Sequence, residues 1–203
     1  MLPTLAGVEA ALKAIRPYQP ETPLVRSTIL SRSFRADVWL KNETVSPISS
    51  FKIRGALHAL MRAQSQAQPA VAVTSSTGNH GQAVAWAAAQ LGLTAEIFLP
   101  EACNPVKKAM IRALEARLHE GGGDIDEAKD RARNHRARPG HVFVDDGESL
   151  DLMEGAPAMA ESFRARQAVE GQTVLLVLTG SNIAPSVLQR AMGHDSLLAP
   201  GGV

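Results

Sequence analysis

The sequence holds one cysteine, Cys103, which excludes an intramolecular disulfide and any cysteine-based zinc cluster. It lacks a surplus of either charge. Its 21 Lys+Arg nearly cancel its 20 Asp+Glu, so no global field favours nucleic acid or an anionic membrane. No apolar run reaches the roughly 18 residues of a membrane span. The start, MLPTLAGVEAALKAIRPY, has neither the charged region nor the continuous apolar stretch of a signal peptide. The expectation is a cytoplasmic protein that binds neither nucleic acid nor membrane. Internal repeats and low-complexity segments are also absent, and the densest basic run, RARNHRAR at 131–138, reads as a solvated helix face.

What remains is ordinary globular composition, 45% hydrophobic and 20% charged over 203 residues, enough for one large domain or two small ones. Thr4 caps a first helix with Leu5, Val8, Leu12 and Ile15 on one side, ending before Pro17. Short apolar runs at 38–43, 70–74, 95–100, 141–144 and 173–179 read as strands. Between them lie helices over 51–63, from about Gln82 to Leu91, from Pro105 and from Asp124, with further helices around 151–168 and after Pro185. HDSLLAPGGV at the end reads as a loose terminus. Near-continuous apolar strands alternating with amphipathic helices indicate an α/β fold, a parallel sheet with helices on both faces.

Two stretches carry chemistry. In SPISSFKIRGALHAL, 46–60, a lysine stands in the first turn of a helix, where the helix dipole disfavours a cation. A Schiff base forms only through a neutral amine, and the positive end of a helix together with burial favours that form. Lys52 meets the first condition if Ser49 or Ser50 caps the helix, and Phe51 and Ile53 supply the second. On this stretch alone a surface lysine is the more ordinary reading. In TSSTGNHG, 74–81, a strand gives way to a helix, the place in an open parallel sheet where ligands bind. Helix-start amides, two glycines and the hydroxyls of Ser75, Ser76 and Thr77 make an anion site for a carboxylate or phosphate. Asn79 adds an amide. His80 is either a base or a capping side chain, and the whole stretch also reads as a plain turn.

SFKIRGA with STGNHGQA resembles the serine/threonine dehydratase branch of the fold-type II pyridoxal-phosphate enzymes, the tryptophan synthase β-like superfamily. TPLVRS, VWLKNE, EIFLPE, VKKAMIRALEA, DEAKDRA and VFVDD extend the resemblance collinearly from about Thr22 to Glu161. It implies pyridoxal 5'-phosphate held by Lys52 as a Schiff base, Phe51 beside its ring and Asn79 on its 3'-oxygen. It further implies that Ser76, Thr77, Gly78, Asn79 and His80 hold the substrate carboxylate. LTGSN, 178–182, is similar to the family's strand end whose hydroxyl faces the pyridine nitrogen, a role that falls to Thr179. A neutral hydroxyl there leaves the cofactor a weaker electron sink, which suits β-elimination from L-threonine or L-serine to a 2-oxo acid and ammonia.

The sequence departs from the resemblance after Met153. EGAPAMAESF, 154–163, stands where the family has GQGT, with Ala156 and Pro157 in place of the glycine and threonine. Only RARQAVEGQ, 164–172, then separates it from the terminal strand, so the glycine-rich phosphate loop and part of the larger domain are missing. The GGG at 121–123 does not replace it, because Asp124 and Asp126 would repel a phosphate. The expected organisation is 1–50 with 146–203 as the remnant of a truncated larger cofactor domain and 51–145 as the smaller α/β domain. The family's metal region also falls in the missing part, so no metal is expected, nor is a regulatory domain. Exposed apolar edges predict a homo-oligomer. Two functions stand: a pyridoxal-phosphate lyase acting on a small hydroxy-amino acid, or a shortened, non-catalytic relative that serves as a binding module. Racemase and β-replacement chemistry share the same lysine and asparagine motifs.

Overall fold

The computed structural model describes residues 3–146, 149–156 and 173–181. The element order is α1 (Leu5–Ile15), β1 (Leu24–Arg26), α2 (Thr28–Phe34), β2 (Asp37–Asn42), α3 (Lys52–Ala67), β3 (Val71–Ser75) and α4 (Asn79–Gln90). There follow β4 (Thr94–Leu99), α5 (Pro105–Arg112), β5 (Arg117–Glu120), α6 (Ile125–His135), β6 (His141–Phe143), α7 (Leu150–Gly155) and β7 (Thr173–Leu178).

Strands β3 to β6 form a four-stranded, wholly parallel sheet in the order β5-β4-β3-β6. The chain runs outward from β3 to β4 and β5, then returns to the other side of β3. The carboxyl ends of β3 and β6 therefore flank a topological switch point, where open α/β sheets place their ligands. Side chains alternate across β4. Ala95, Ile97 and Leu99 join α3, α4 and α5 in the main core, while Phe98 faces Ala128 and Ala132 of α6 in a second one. Helices thus cover both faces, as expected.

The second sheet, β1-β2-β7, is mixed: β1 runs antiparallel to β2, whereas β2 and β7 are parallel in the register Asp37↔Thr173 to Asn42↔Leu178. The reading of a purely parallel sheet holds only for the four-stranded one. Strands β1 and β5 and helix α2 have no counterpart in the sequence reading. With three, four and seven residues, they are too short for a periodic pattern to stand out.

Capping follows the sequence closely. Thr4 accepts the Gly7 N–H at 3.1 Å, Asn104 accepts that of Val106 with Pro105 at the first helical position, and Asp124 accepts those of Asp126 and Glu127. The apolar stripe of α1 is narrower than expected, since Leu5 is 66% exposed and burial centres on Ala11 and Ile15. The basic run at 131–138 is not purely a solvated face either: Arg133 turns inward to Asp145 at 3.0 Å. The GGG turn is internally satisfied, with the Gly123 N–H donated to Glu127 at 2.8 Å. Most of the helix expected over 151–168, the one after Pro185 and the terminus lie outside the described residues.

A buried polar network joins the three-stranded sheet to α3. Glu43, just past β2, takes the Arg54 guanidinium through Nε at 3.0 Å and a terminal nitrogen at 3.2 Å, and both side chains are fully buried. Thr22 donates its hydroxyl to the same carboxylate, and its backbone carbonyl accepts from Lys41 Nζ at 2.8 Å. Three stretches distant in sequence, TPL, KNE and SFKIRGA, meet in this network, which fixes the first turn of α3. Farther along, α7 crosses α3 at two glycines: a Cβ at Gly55 would come 2.9 Å from the Leu152 carbonyl oxygen, and one at Gly155 would come 2.7 Å from that of Arg54. No helix among the described residues is long and apolar enough to cross a membrane.

Candidate active site

Lys52 opens α3. Phe51 takes the cap position by its backbone without a side-chain cap, and the Lys52 N–H is met instead by Ser50 Oγ at 3.4 Å. Ser50 is itself pinned through Ser46, whose hydroxyl donates to the Ser50 carbonyl and accepts its N–H, both at 2.8 Å. Of the expected apolar wall, Ile53 is fully buried but turns into the core, and Phe51 is half-buried. The lysine side chain keeps 32% of its surface and lies in a cleft of about 180 Å³ lined by Phe51, Gly55, His80, Asp146 and Leu152.

The expected desolvated amine is therefore an ion-paired one. Lys52 Nζ donates to both oxygens of Asp146, at 2.7 and 2.9 Å. Asp146 is the residue that sequence reasoning passed over. Its signal was the VFVDD stretch at the carboxyl end of β6, where alternate residues leave on opposite sides. Asp145 goes to α6, and its carboxyl lies below the usual range because Lys129 and Arg133 outweigh the upward push of burial. Asp146 goes to Lys52.

The other side of the switch point is the turn after β3. Helix α4 starts at Asn79 rather than near Gln82, so Asn79 and His80 belong to its first turn. Gly81 makes this possible, since a Cβ there would stand 2.6 Å from the Ser76 carbonyl oxygen. Nothing lies within 4 Å of a Cβ placed at Gly78, so the space above the turn is open. The hydroxyls are less available than expected: Ser75 donates to the Phe98 carbonyl at 3.2 Å and Ser76 accepts the Gly78 N–H at 3.2 Å.

His80 points inward and is 2% exposed. Its Nε2 lies 3.1 Å from both Thr74 Oγ1 and the Val144 carbonyl oxygen. A carbonyl only accepts, so the proton sits on Nε2, and Nδ1 faces Asp146 at 3.7 Å. Burial holds His80 below its ordinary pKa, against the raising effect of Asp146. The neutral ring is a structural bridge from α4 to the end of β6. A native histidine that resists protonation destabilises the fold once the unfolded chain, with a pKa near 6.5, takes up the proton. The melting temperature should thus fall as pH drops from about 7.5 toward 5, and less steeply in His80→Gln. Parallel profiles of the two proteins would refute this.

Thr179 reaches the same region by backbone pairing. Its carbonyl accepts the Phe51 N–H at 3.0 Å, Ser50 bridges Gly180, and the Ser181 N–H donates to Ser49. Phe51, Lys52 and His80 share the cleft, Thr179 adjoins it, and Ser76 to Asn79 form the turn beside His80 without lining the cleft. The chain thus presents a primary amine, an aromatic ring and an exposed strand end carrying a hydroxyl at one switch point. This set fits the reactive end of a pyridoxal group; no glycine-rich cradle for its phosphate occurs among the described residues.

Comparison with known proteins gives the arrangement its family. Residues 15–184 match the family described as pyridoxal-phosphate dependent enzyme. The chain belongs to that family. Pyridoxal 5'-phosphate is the family's cofactor, as expected from the sequence. Among curated members, serine racemase from Schizosaccharomyces pombe is 37% identical over 189 residues, covering 91% of this chain and 58% of the racemase. Threonine dehydratase 1 from Solanum lycopersicum is 33% identical over 135 residues, covering 66% of this chain and 22% of the dehydratase. In three dimensions, T.th. threonine deaminase superposes with a TM-score of 0.72 at 31% identity, over 80% of this chain and 51% of that one. The chain is a fold-type II pyridoxal-phosphate family member related to threonine dehydratase and serine racemase, with the tryptophan synthase β-like fold. It spans about half the length of the solved chains it matches and from about a fifth to three fifths of these curated relatives.

Proposed function

We propose that this chain is a pyridoxal-phosphate-dependent lyase that deaminates L-threonine or L-serine to a 2-oxo acid and ammonia. The observation that carries the reading is Lys52 at the α3 start, beside Phe51 and opposite the turn 76–80, at the switch point between β3 and β6. Bound pyridoxal phosphate supplies the electron sink that makes the substrate α-proton acidic. Lys52 would hold the cofactor and, once the substrate amine has displaced it, would take that α-proton on the freed Nζ, which requires Asp146 to release the amine first. Phe51 would pack beside the cofactor ring, Asn79 would bond its 3'-oxygen, and the Thr179 hydroxyl would meet its pyridine nitrogen. Ser76, Thr77, Gly78, Asn79 and His80 form the turn that receives the substrate carboxylate, Asn79 and His80 through the first turn of α4.

A second reading rests on the Lys52–Asp146 pair and on the short 154–172 segment: a shortened, non-catalytic relative that binds a ligand or partner. The deciding experiment adds pyridoxal phosphate, records the visible spectrum, and follows 2-oxo acid release from L-threonine and L-serine. A lysine-bound cofactor band with 2-oxo acid production supports the lyase. A band with inversion of serine and no 2-oxo acid supports racemase chemistry, and no band at saturating cofactor supports the non-catalytic reading.

Residues 1–50 with 146–203, and 51–145, are taken as remnant larger and smaller domains in this reading. The protein is also proposed to be a homo-oligomer. Strand β7 ends its sheet among the described residues, and Val174, Leu176, Val177 and Leu178 are all 37–42% exposed. Light scattering should report more than one chain per particle; a monomer at high concentration overturns the proposal.

A further inference from the structure

The face of the four-stranded sheet opposite α4 carries a cluster that the lyase reading does not use. Glu96 on β4, His119 on β5 and His135 in the last turn of α6 converge, with one ligand atom from each within 4.8 Å of the others. Glu96 Oε2 lies 2.9 Å from His119 Nε2 and 2.6 Å from His135 Nε2. The His135 contact is a close ion pair poorly aligned for a hydrogen bond, and its buried Nε2 has no other partner among the described residues. A buried ring nitrogen pressed against a carboxylate, off the N–H direction, is unsatisfied as it stands. A cation shared by the two would satisfy both.

We propose that Glu96, His119 and His135 bind a divalent transition-metal ion of the zinc class. Two imidazoles and one carboxylate are the ligands zinc accepts, with a fourth position left for water. Zinc bonds of about 2.0–2.1 Å set neighbouring ligand atoms roughly 3.3 Å apart, so Glu96 moves outward by about half an ångström on binding. The rings are already oriented: Phe98 stacks on His119 at a centroid distance of 4.5 Å, and His141 meets His135 edge-on at 5.3 Å.

Three arginines oppose a cation here. Arg117 lies 3.7 Å from Glu96 Oε1, the oxygen turned away from the histidines, and at 71% exposure it can swing into solvent. Arg131 is placed over the Phe98 ring at 5.5 Å, and Arg138 adds positive charge toward His135. The carbonyl end of the α6 dipole and the Glu96 charge act the other way. Drawing its ligands from β4, β5 and α6, the ion ties α6 to the sheet.

The test uses the full chain without a histidine tag, stripped by chelator and titrated with Zn²⁺, and with Co²⁺ as a spectroscopic probe. One ion per chain is expected, with a melting temperature raised by about 5–10 °C at a hundredfold excess over Kd. Glu96→Gln and His135→Asn should each weaken binding by more than about 100-fold; Cys103→Ser should bind as the parent does. X-ray absorption on the zinc-loaded parent, expected to read two imidazoles, decides the matter even if a variant fails to fold. Absence of stoichiometric binding, unchanged affinity in both ligand variants, or fewer than two imidazoles overturns the proposal.

Discussion

Lys52→Ala is expected to abolish the lysine-bound cofactor band and to lower 2-oxo acid release from threonine or serine by at least about 10³-fold. Both the covalent attachment and the proton transfer depend on this amine. The loss should not come from unfolding. The Lys52–Asp146 pair is partly exposed on both sides, 32% and 45%, and such pairs contribute about 0–1 kcal/mol. Lys52→Arg sharpens the test, because a guanidinium keeps the pair with Asp146 yet forms no Schiff base at neutral pH. Both variants should melt within a few degrees of the parent while losing the band. A variant that retained the band and its turnover would remove Lys52 from the proposed role and leave the reactive amine elsewhere.

The largest effect on stability is expected at Glu43. Truncating it to alanine removes the fully buried carboxylate that takes the Arg54 guanidinium through two nitrogens, and breaking such a buried pair costs about 3–5 kcal/mol. For a chain of this size that lowers the melting temperature by roughly 6–20 °C. Arg54→Ala breaks the same pair from the other side. Replacing both by methionine should cost much less than the sum of the single changes, since neither member of the pair is then buried without the other. Thermal or urea unfolding of the four proteins measures this coupling. A Glu43→Ala variant within about 1 kcal/mol of the parent would show that water reaches Arg54 and that the network does not hold α3. Lys52 sits two residues from Arg54 in the same helical turn, so Glu43→Ala should also weaken cofactor retention.

Much of the molecule is legible before folding because its signals are local. Thr4 is a cap wherever a helix follows it, Pro105 suits a first helical position, and runs such as VAVT and EIFL are too apolar to lie outside a core. The α/β class and the two chemistry-bearing stretches follow from such patterns. The extent of α4 does not: STGNHG carries a turn's composition, and Asn79 and His80 become helical only because Gly81 lets the Ser76 carbonyl approach.

Sequence by itself therefore determined the alternation of strands and helices, the lysine at a helix start and the asparagine turn after a strand, since each is decided within a few residues. Tertiary structure alone decided what those residues meet. It turned His80 inward to Val144, gave Lys52 the Asp146 carboxylate 94 residues away, and brought Thr22, Glu43 and Arg54 into one buried network. The physical reason is that a side chain's ionic partners are set by which strand ends the sheet order brings together, and the order β5-β4-β3-β6 is a property of the whole chain.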